Sequence, residues 1–129
     1  MKKFLGLLIV VIGVFCYSFT AHVEIDDVVG ALKSGNAAQL SKFFDNRVDI
    51  TLPDKADNYS RSQAEMIMRD FFTSNTVRNF SLRYKSDNAD NNYCVGTLLT
   101  NSGNYRTTLV MKQKGNKQFV QDLTLQKVQ

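Results

Sequence analysis

The side chains best suited to chemistry are scarce in this chain. Among its 129 residues, histidine occurs once, at His22, and cysteine twice, at Cys16 and Cys94. A cysteine nucleophile needs a nearby base, and a zinc site needs several cysteine or histidine ligands. We therefore predict no catalytic residue, no metal site and no cofactor. Cys94, which follows Tyr93 and precedes Val95, is expected to be a buried core residue.

Charged side chains fall on the polar side of alternating segments. Asp49 alternates with Val48 and Ile50, so it is expected to face solvent, where a carboxylate is a poor base. Arg83 and Arg106 also alternate with apolar neighbours. This pattern predicts a solvated outer sheet face or, as an alternative, contact between these arginines and a ligand anion.

The charge balance argues against nucleic acid as a partner. The chain carries 16 basic and 12 acidic side chains, and two of the basic ones, Lys2 and Lys3, lie at its start. The other basic residues are spread along the chain without a long run. Because nucleic-acid binding needs a coherent basic surface, we predict no nucleic-acid partner.

The first 21 residues have the pattern of a secretory signal peptide. A positively charged start precedes an apolar run over residues 4–17, and small residues follow at 18–21. The run is shorter than the ~20 residues of a comfortable membrane span. We predict cleavage near residues 18–21, export to the periplasm or the exterior, and one domain over residues 22–129. Membrane attachment is expected only if the segment is retained or lipidated at Cys16, where Phe15 occupies a position that requires a small residue.

Two helices are predicted in front of the first strand. The first begins near Ile25 with apolar residues at helical spacing, and Gly35 ends it. Asn36 can cap the second helix, and Phe43 and Phe44 lie on its apolar side.

The third predicted helix has the strongest pattern in the chain. A capping box at its start is formed either by Ser60 with Gln63 or by Ser62 with Glu65. Its apolar stripe consists of Ala64, Ile67, Met68, Phe71 and Phe72.

A period of two marks the predicted strands. The first strand covers residues 48–52, and a polar loop follows over residues 54–59. Four strands come after the third helix, joined by short turns that predict a mostly antiparallel sheet. In the first of these four, Phe80, Leu82 and Tyr84 are expected on one face and Ser81, Arg83 and Lys85 on the other. The last strand, near residues 118–127, slips in phase, which predicts a bulge.

The stretch from Phe43 to Glu65 is the most recognisable in the chain. It reads Phe43-Phe44-Asp45, then Val48-Asp49-Ile50-Thr51-Leu52-Pro53-Asp54-Lys55, then Tyr59-Ser60-Arg61-Ser62-Gln63-Ala64-Glu65. With this order of elements the chain resembles the nuclear transport factor 2-like superfamily, also called cystatin-like. More narrowly, it resembles a group of small secreted Bacteroidetes proteins of unknown function. The resemblance implies an α+β fold in which three N-terminal helices pack on a strongly curved, mostly antiparallel sheet that forms a cone.

The resemblance also implies an internal cavity. Our first hypothesis is a non-enzymatic exported domain that binds a small, largely apolar ligand in this cavity. The candidate ligand-binding residues are Tyr84, Tyr93, Tyr105, Asp122, Met68 and Phe72. The ordinary alternative for the tyrosines is a place at the sheet margin with the hydroxyl in solvent.

Two other functions stay open at this point. One is an interaction module of the cell envelope that forms a homodimer through the sheet face. The other is a cavity-type isomerase, lyase or hydrolase that uses Asp and Tyr, in which Asp122, whose phase along the strand is uncertain, would be the base.

Overall fold

The computed structural model describes residues 25–87 and 91–128, which form three helices and six strands. In chain order these are α1 (Ile25–Ser34), α2 (Ala37–Ser41), β1 (Phe44–Thr51), β2 (Ala56–Ser60), α3 (Arg61–Ser74), β3 (Val77–Asp87), β4 (Asn91–Thr100), β5 (Gly103–Lys114) and β6 (Lys117–Val128). The predicted signal peptide, with Cys16, and His22 lie outside the described residues. Within residues 25–87 and 91–128, no helix is long and apolar enough to cross a membrane.

The ends of α1 and α2 follow the predicted capping chemistry. Gly35 has a φ of +62°, which favours glycine, and it ends α1 as predicted. The Asn36 side chain accepts a hydrogen bond from the Gln39 backbone N–H at 3.0 Å, so the predicted cap of α2 is confirmed. However, α2 is only five residues long, and Phe44 already belongs to β1. Strand pairing prevails here because the Val120 N–H donates to the Phe43 carbonyl at 2.7 Å.

Helix α3 begins with a complete capping box. The Ser60 hydroxyl accepts from the Gln63 N–H at 3.3 Å, and the Gln63 side chain accepts from the Ser60 N–H at 3.2 Å. Of the two predicted boxes, this is the one that forms, since Glu65 instead accepts a hydrogen bond from the Ser41 hydroxyl and pairs with Arg69. The buried side of α3 consists of Ala64, Met68, Phe71 and Phe72.

The six strands form one curved, mixed sheet in the order β2-β1-β6-β5-β4-β3. All neighbouring strands are antiparallel except β1 and β6, which run parallel. Strand β2 corrects the predicted loop over residues 54–59, because Ala56–Ser60 pair with β1. An edge strand of this kind can be polar on both sides, since backbone hydrogen bonds hold it and it contributes little to the core.

The sheet has two chemically different faces. We call the face that packs against the helices the inner face, and it carries one row of four buried cross-strand neighbours: Ile50, Leu123, Leu109 and Cys94. The opposite face is called the outer face, and its adjacent row reads Asp49, Asp122, Val110 and Tyr93. The core therefore lies between the inner face and the three helices.

Two bulges interrupt the alternation of side chains. The bulge predicted in β6 is confirmed, since the register with β5 shifts at Gln121. A second bulge lies between Leu82 and Tyr84 of β3. Its extra residue moves Tyr84 to the outer face and turns Lys85 toward α1, where its Nζ atom is 3.8 Å from Asp26 Oδ1. The predicted faces of Tyr84 and Lys85 are thus wrong, because a shift of one residue exchanges the two faces.

Candidate functional site

The sheet divides the six predicted ligand-binding residues into two groups. Met68, Phe72 and Tyr105 are buried on the inner side. Tyr84, Tyr93 and Asp122 lie on the outer face, where Tyr84 and Tyr93 are 55% and 38% exposed. Only the first group can therefore contribute to a site between the sheet and the helices.

An open depression of about 270 Å³ is lined by Tyr105 but not by Met68 or Phe72. Leu52, Phe71 and Tyr105 are nearly buried and form its floor, and the Phe71 and Tyr105 rings meet edge to face with centroids 5.1 Å apart. The rest of its lining consists of Pro53, Asp54, Lys55, Ile67, Asp70, Ser74 and Asn75. We call this the mouth depression, an aromatic floor with polar groups at its rim.

A hydrogen bond fixes the Tyr105 phenol at the edge of the mouth depression. The hydroxyl donates to the Asn75 side-chain oxygen at 3.0 Å. The Asn75 side-chain nitrogen and backbone N–H both donate to the Phe71 carbonyl, at 3.0 and 2.9 Å. Asn75 thus closes the end of α3 and orients Tyr105, which gives the depression a rigid wall.

The outer face carries a larger groove and two exposed aromatic rings. The groove measures about 440 Å³ and is lined by Arg83, Val95, Gly96, Thr97, Arg106, Gln126, Lys127 and Val128. Beside it, the Tyr84 and Tyr93 rings lie 5.5 Å apart. A hydrogen bond with Tyr84 raises the pKa of the Tyr93 phenol. The outer face therefore combines cations, aromatic rings and half-buried aliphatic side chains.

Two carboxylates occupy the opposite corner of the outer face. Asp49 and Asp122 are paired residues of the neighbouring strands β1 and β6. Burial raises the pKa of the Asp122 carboxyl, the Thr124 hydroxyl lowers it by donating at 3.2 Å, and the charge of Asp49 raises it further. The sheet separates Asp122 from Tyr105, whereas Tyr93 lies in the same outer-face row as Asp122, two strands away with Val110 between them.

Asp45 is the buried carboxylate that the sequence analysis missed. It is 6% exposed, and it accepts hydrogen bonds from the Asn46 backbone at 2.8 Å and the Gln121 side chain at 3.0 Å. Lys114 Nζ lies 2.7 Å from Asp45 Oδ2, the same oxygen that accepts from Gln121. Burial acts to raise the pKa of Asp45, but the bonds from Lys114 and Gln121 together hold it below its usual value. Asp45 therefore joins β1 to the β5–β6 hairpin.

Replacing Asp45 by asparagine is expected to lower the free energy of unfolding by about 1–3 kcal/mol at pH 7, because hydrogen bonds to a charged group are lost. The folded-state pKa lies below the unfolded value of about 3.9. The carboxylate therefore contributes stability above that value, and the contribution disappears as the pH falls through the folded pKa. Urea unfolding at pH 7 and pH 3 measures both effects.

The matched control is Asp57→Asn, which removes an exposed carboxylate in β2 and should leave stability nearly unchanged at both pH values. An equal loss for Asp45→Asn at pH 7 and pH 3 would contradict the role of its charge.

Cys94 has the environment of a core residue. It is buried, and burial raises the pKa of its thiol to about 11. A thiol of this kind is a poor nucleophile near neutral pH. Across residues 25–87 and 91–128, no three Cys, His, Asp or Glu side chains come together as a metal-binding group.

Comparisons with known proteins match this fold closely. A family model described as a domain of unknown function, DUF4783, matches residues 25–126. A DUF4783 protein from Bacteroides uniformis is 26% identical, with 81% of this chain and 97% of that chain covered and a TM-score of 0.79. A DUF4783 protein from Bacteroides ovatus is 25% identical, with 84% and 99% covered and a TM-score of 0.80. A search of curated proteins found no match.

A more distant structure shares the fold alone. The chain named "Rd1NTF2_04 with long sheet" is 19% identical, with 78% of this chain and 94% of that chain covered and a TM-score of 0.63. Together these matches confirm the predicted nuclear transport factor 2-like fold and the resemblance to Bacteroidetes proteins of unknown function.

Proposed function

The chain belongs to the DUF4783 family of domains of unknown function, and from that premise we propose that it binds a small, largely apolar ligand at the mouth depression without catalysing a reaction. The observation that carries this proposal is the aromatic floor of Phe71 and Tyr105 beside a few polar groups. Small-molecule sites typically combine an apolar lining with a small number of oriented polar groups.

The volume of the mouth depression limits the ligand to a small molecule. At about 270 Å³ it lies just below the usual range of ligand pockets, roughly 300–1,000 Å³. Deeper between the sheet and the helices, the core cluster includes the fully buried side chains of Met68, Phe80 and Met111. The proposed ligand therefore rests at the mouth of the cone, with an aromatic or aliphatic group against Phe71.

The polar rim supplies orientation. Tyr105 and Asn75 already form a hydrogen bond with each other. The ligand's polar end is therefore expected to contact the exposed side chain of Lys55 or Asp70. This arrangement favours a ligand with one polar end and one apolar end over a pure hydrocarbon. The proposal includes export, which is supported by the signal-peptide pattern of the first 21 residues.

Prodan, an uncharged naphthalene fluorophore, tests the site directly. We expect a saturable rise in its fluorescence with the unmodified chain. Ser74→Phe places a ring in the mouth depression and is expected to weaken prodan binding by about tenfold or more, equivalent to ~1.4 kcal/mol. Circular dichroism of each variant confirms that the fold is retained.

The matched control is Ser62→Phe, because Ser62 is an exposed serine of the same helix that does not line the depression. It should bind prodan as the unmodified chain does. Absence of saturable binding, or equal binding by the Ser62 and Ser74 variants, would refute the proposed site.

A further inference from the structure

Three charged side chains of both signs border the mouth depression. Asp54 and Lys55 follow Pro53 in the turn after β1, and Asp70 belongs to α3. All three are exposed. We call them the rim charges. None of them takes part in the ion pairs found among residues 25–87 and 91–128, which are Arg69–Glu65, Lys85–Asp26 and Lys114–Asp45. The rim charges therefore remain available to a ligand.

The rim charges come from two separate elements. A hydrogen bond from the Leu52 N–H to the Lys55 carbonyl, at 2.7 Å, closes the turn that carries Asp54 and Lys55. Asp70 lies one helical turn before Ser74 in α3, and both line the depression from the helix. Lys55 and Asp70 thus border the same depression without being paired with each other. A ligand that enters between the turn and the helix can contact both.

The floor of the depression favours a flat ring. The Phe71 and Tyr105 rings already meet edge to face, with centroids 5.1 Å apart. The apolar lining is completed by Leu52, Pro53 and Ile67. Aromatic rings in edge-to-face or offset contact attract one another beyond the effect of buried area alone. An aromatic group of a ligand is therefore expected to bind this floor better than a branched aliphatic group does.

We propose that the ligand of the mouth depression is a free α-amino acid with an aromatic side chain, whose ring contacts Phe71 and Tyr105 and whose two charges contact the rim. This inference rests on the proposed function, because it names the ligand class of the same site. An α-ammonium group has three N–H donors and can bond to both Asp54 and Asp70. The α-carboxylate accepts a charge-assisted hydrogen bond from Lys55.

A ligand with a single charge matches this rim less well than a zwitterion. An amine without a carboxylate would lie close to the Lys55 ammonium with nothing to bind it. A carboxylate without an amine would lie close to Asp54 and Asp70, which repel it. Because exposed ion pairs each contribute little, we expect the preference for an amino acid to arise from both of its charged groups together.

Calorimetric titration at neutral pH with four phenyl compounds tests the inference. Free phenylalanine carries both charges, phenethylamine lacks the carboxylate, hydrocinnamate lacks the amine, and hydrocinnamyl alcohol is uncharged. Phenylalanine is expected to bind about tenfold more tightly than hydrocinnamyl alcohol, and at least about threefold more tightly than either singly charged compound. Free leucine has both charges but no ring, so it should bind more weakly than phenylalanine.

Two variants assign the charged contacts. Asp70→Asn and Lys55→Gln should each weaken phenylalanine binding about threefold or more and leave the binding of hydrocinnamyl alcohol unchanged. The matched controls are Asp57→Asn and Lys33→Gln, because both residues are exposed and neither lines the depression. Both controls should bind phenylalanine as the unmodified chain does, and circular dichroism verifies that every variant is folded.

The ligand class and the site can fail separately. A chain that binds prodan or hydrocinnamyl alcohol, but binds phenylalanine no more tightly than the alcohol, overturns the amino-acid inference and leaves the proposed function standing. Phenylalanine binding that neither Asp70→Asn nor Lys55→Gln weakens also overturns it, as does leucine binding as tight as that of phenylalanine. Absence of binding by prodan and by every phenyl compound refutes the proposed function itself, and the inference with it.

Discussion

Substitution of Gly96 by alanine is expected to lower the free energy of unfolding by about 3 kcal/mol or more. A Cβ atom on Gly96 would lie 2.4 Å from Phe80 Cζ and 2.6 Å from the Ser81 carbonyl oxygen. Phe80 is 1% exposed and the carbonyl belongs to the paired backbone of β3, so neither can move aside cheaply. Urea unfolding followed by circular dichroism measures the loss.

The same substitution at Gly30 supplies the control. A Cβ atom there meets nothing within 4 Å, and Gly30 is an exposed residue of α1. Alanine is the better helix former, so Gly30→Ala is expected to raise stability by up to about 1 kcal/mol. The two glycine variants should therefore change stability in opposite directions, and similar changes would show that the close contact at Gly96 is wrong.

Removal of the Phe44 ring is expected to lower the free energy of unfolding by about 3–5 kcal/mol, the range for truncating a buried phenylalanine to alanine. The Phe44 side chain is fully buried at the start of β1, and its carbonyl accepts a hydrogen bond from Arg61 at 3.0 Å. The cavity left by the ring would lie where β1, α3 and the inner face meet. Thermal and urea unfolding of Phe44→Ala give the magnitude.

Phe43 provides a matched comparison because it has the same ring one position earlier. Its side chain is only half-buried, and it packs at the margin of the core. Phe43→Ala is therefore expected to lower the free energy of unfolding clearly less than Phe44→Ala does. Equal losses at the two positions would contradict the placement of Phe44 as the core residue of the pair.

Local sequence patterns were sufficient for the caps of the helices and for the buried stripe of α3. Gly35, Asn36 and the Ser60–Gln63 box act within a few residues of the chain, and each takes the predicted role. The stripe of α3 is also local, since apolar residues three and four positions apart share a side of any helix. Interactions over short sequence distances can therefore be inferred before the fold is known.

The faces of the strands depend on contacts that local patterns do not contain. Phe44 fits a helical stripe equally well, but pairing between Phe43 and Val120 makes it a strand residue. Tyr84 continues an alternating pattern, but the bulge after Leu82 places it on the outer face. Strand β2 has no apolar alternation at all, because it is an edge strand with exposed polar side chains.

The candidate site was predicted only in part for the same reason. Tyr105, Met68 and Phe72 reach the inner side because their elements keep a regular period. The buried position of Asp45 depends on Gln121 and Lys114, which come from distant parts of the chain. The pairing of Asp49 with Asp122 likewise depends on the parallel register of β1 and β6, which no sequence period indicates.

The position of β6 has a consequence for how the protein is made. This strand is the last of the six along the chain, but it lies between β1 and β5 in the middle of the sheet. Its contacts with β1 join residues as far apart as Asp45 and Gln121, 76 positions along the chain. The β1–β2 hairpin therefore lacks its neighbour in the sheet until residues 117–128 have been synthesised. Because closing such distant contacts slows folding, the contact of β6 with β1 is expected to be among the last parts of the sheet to form.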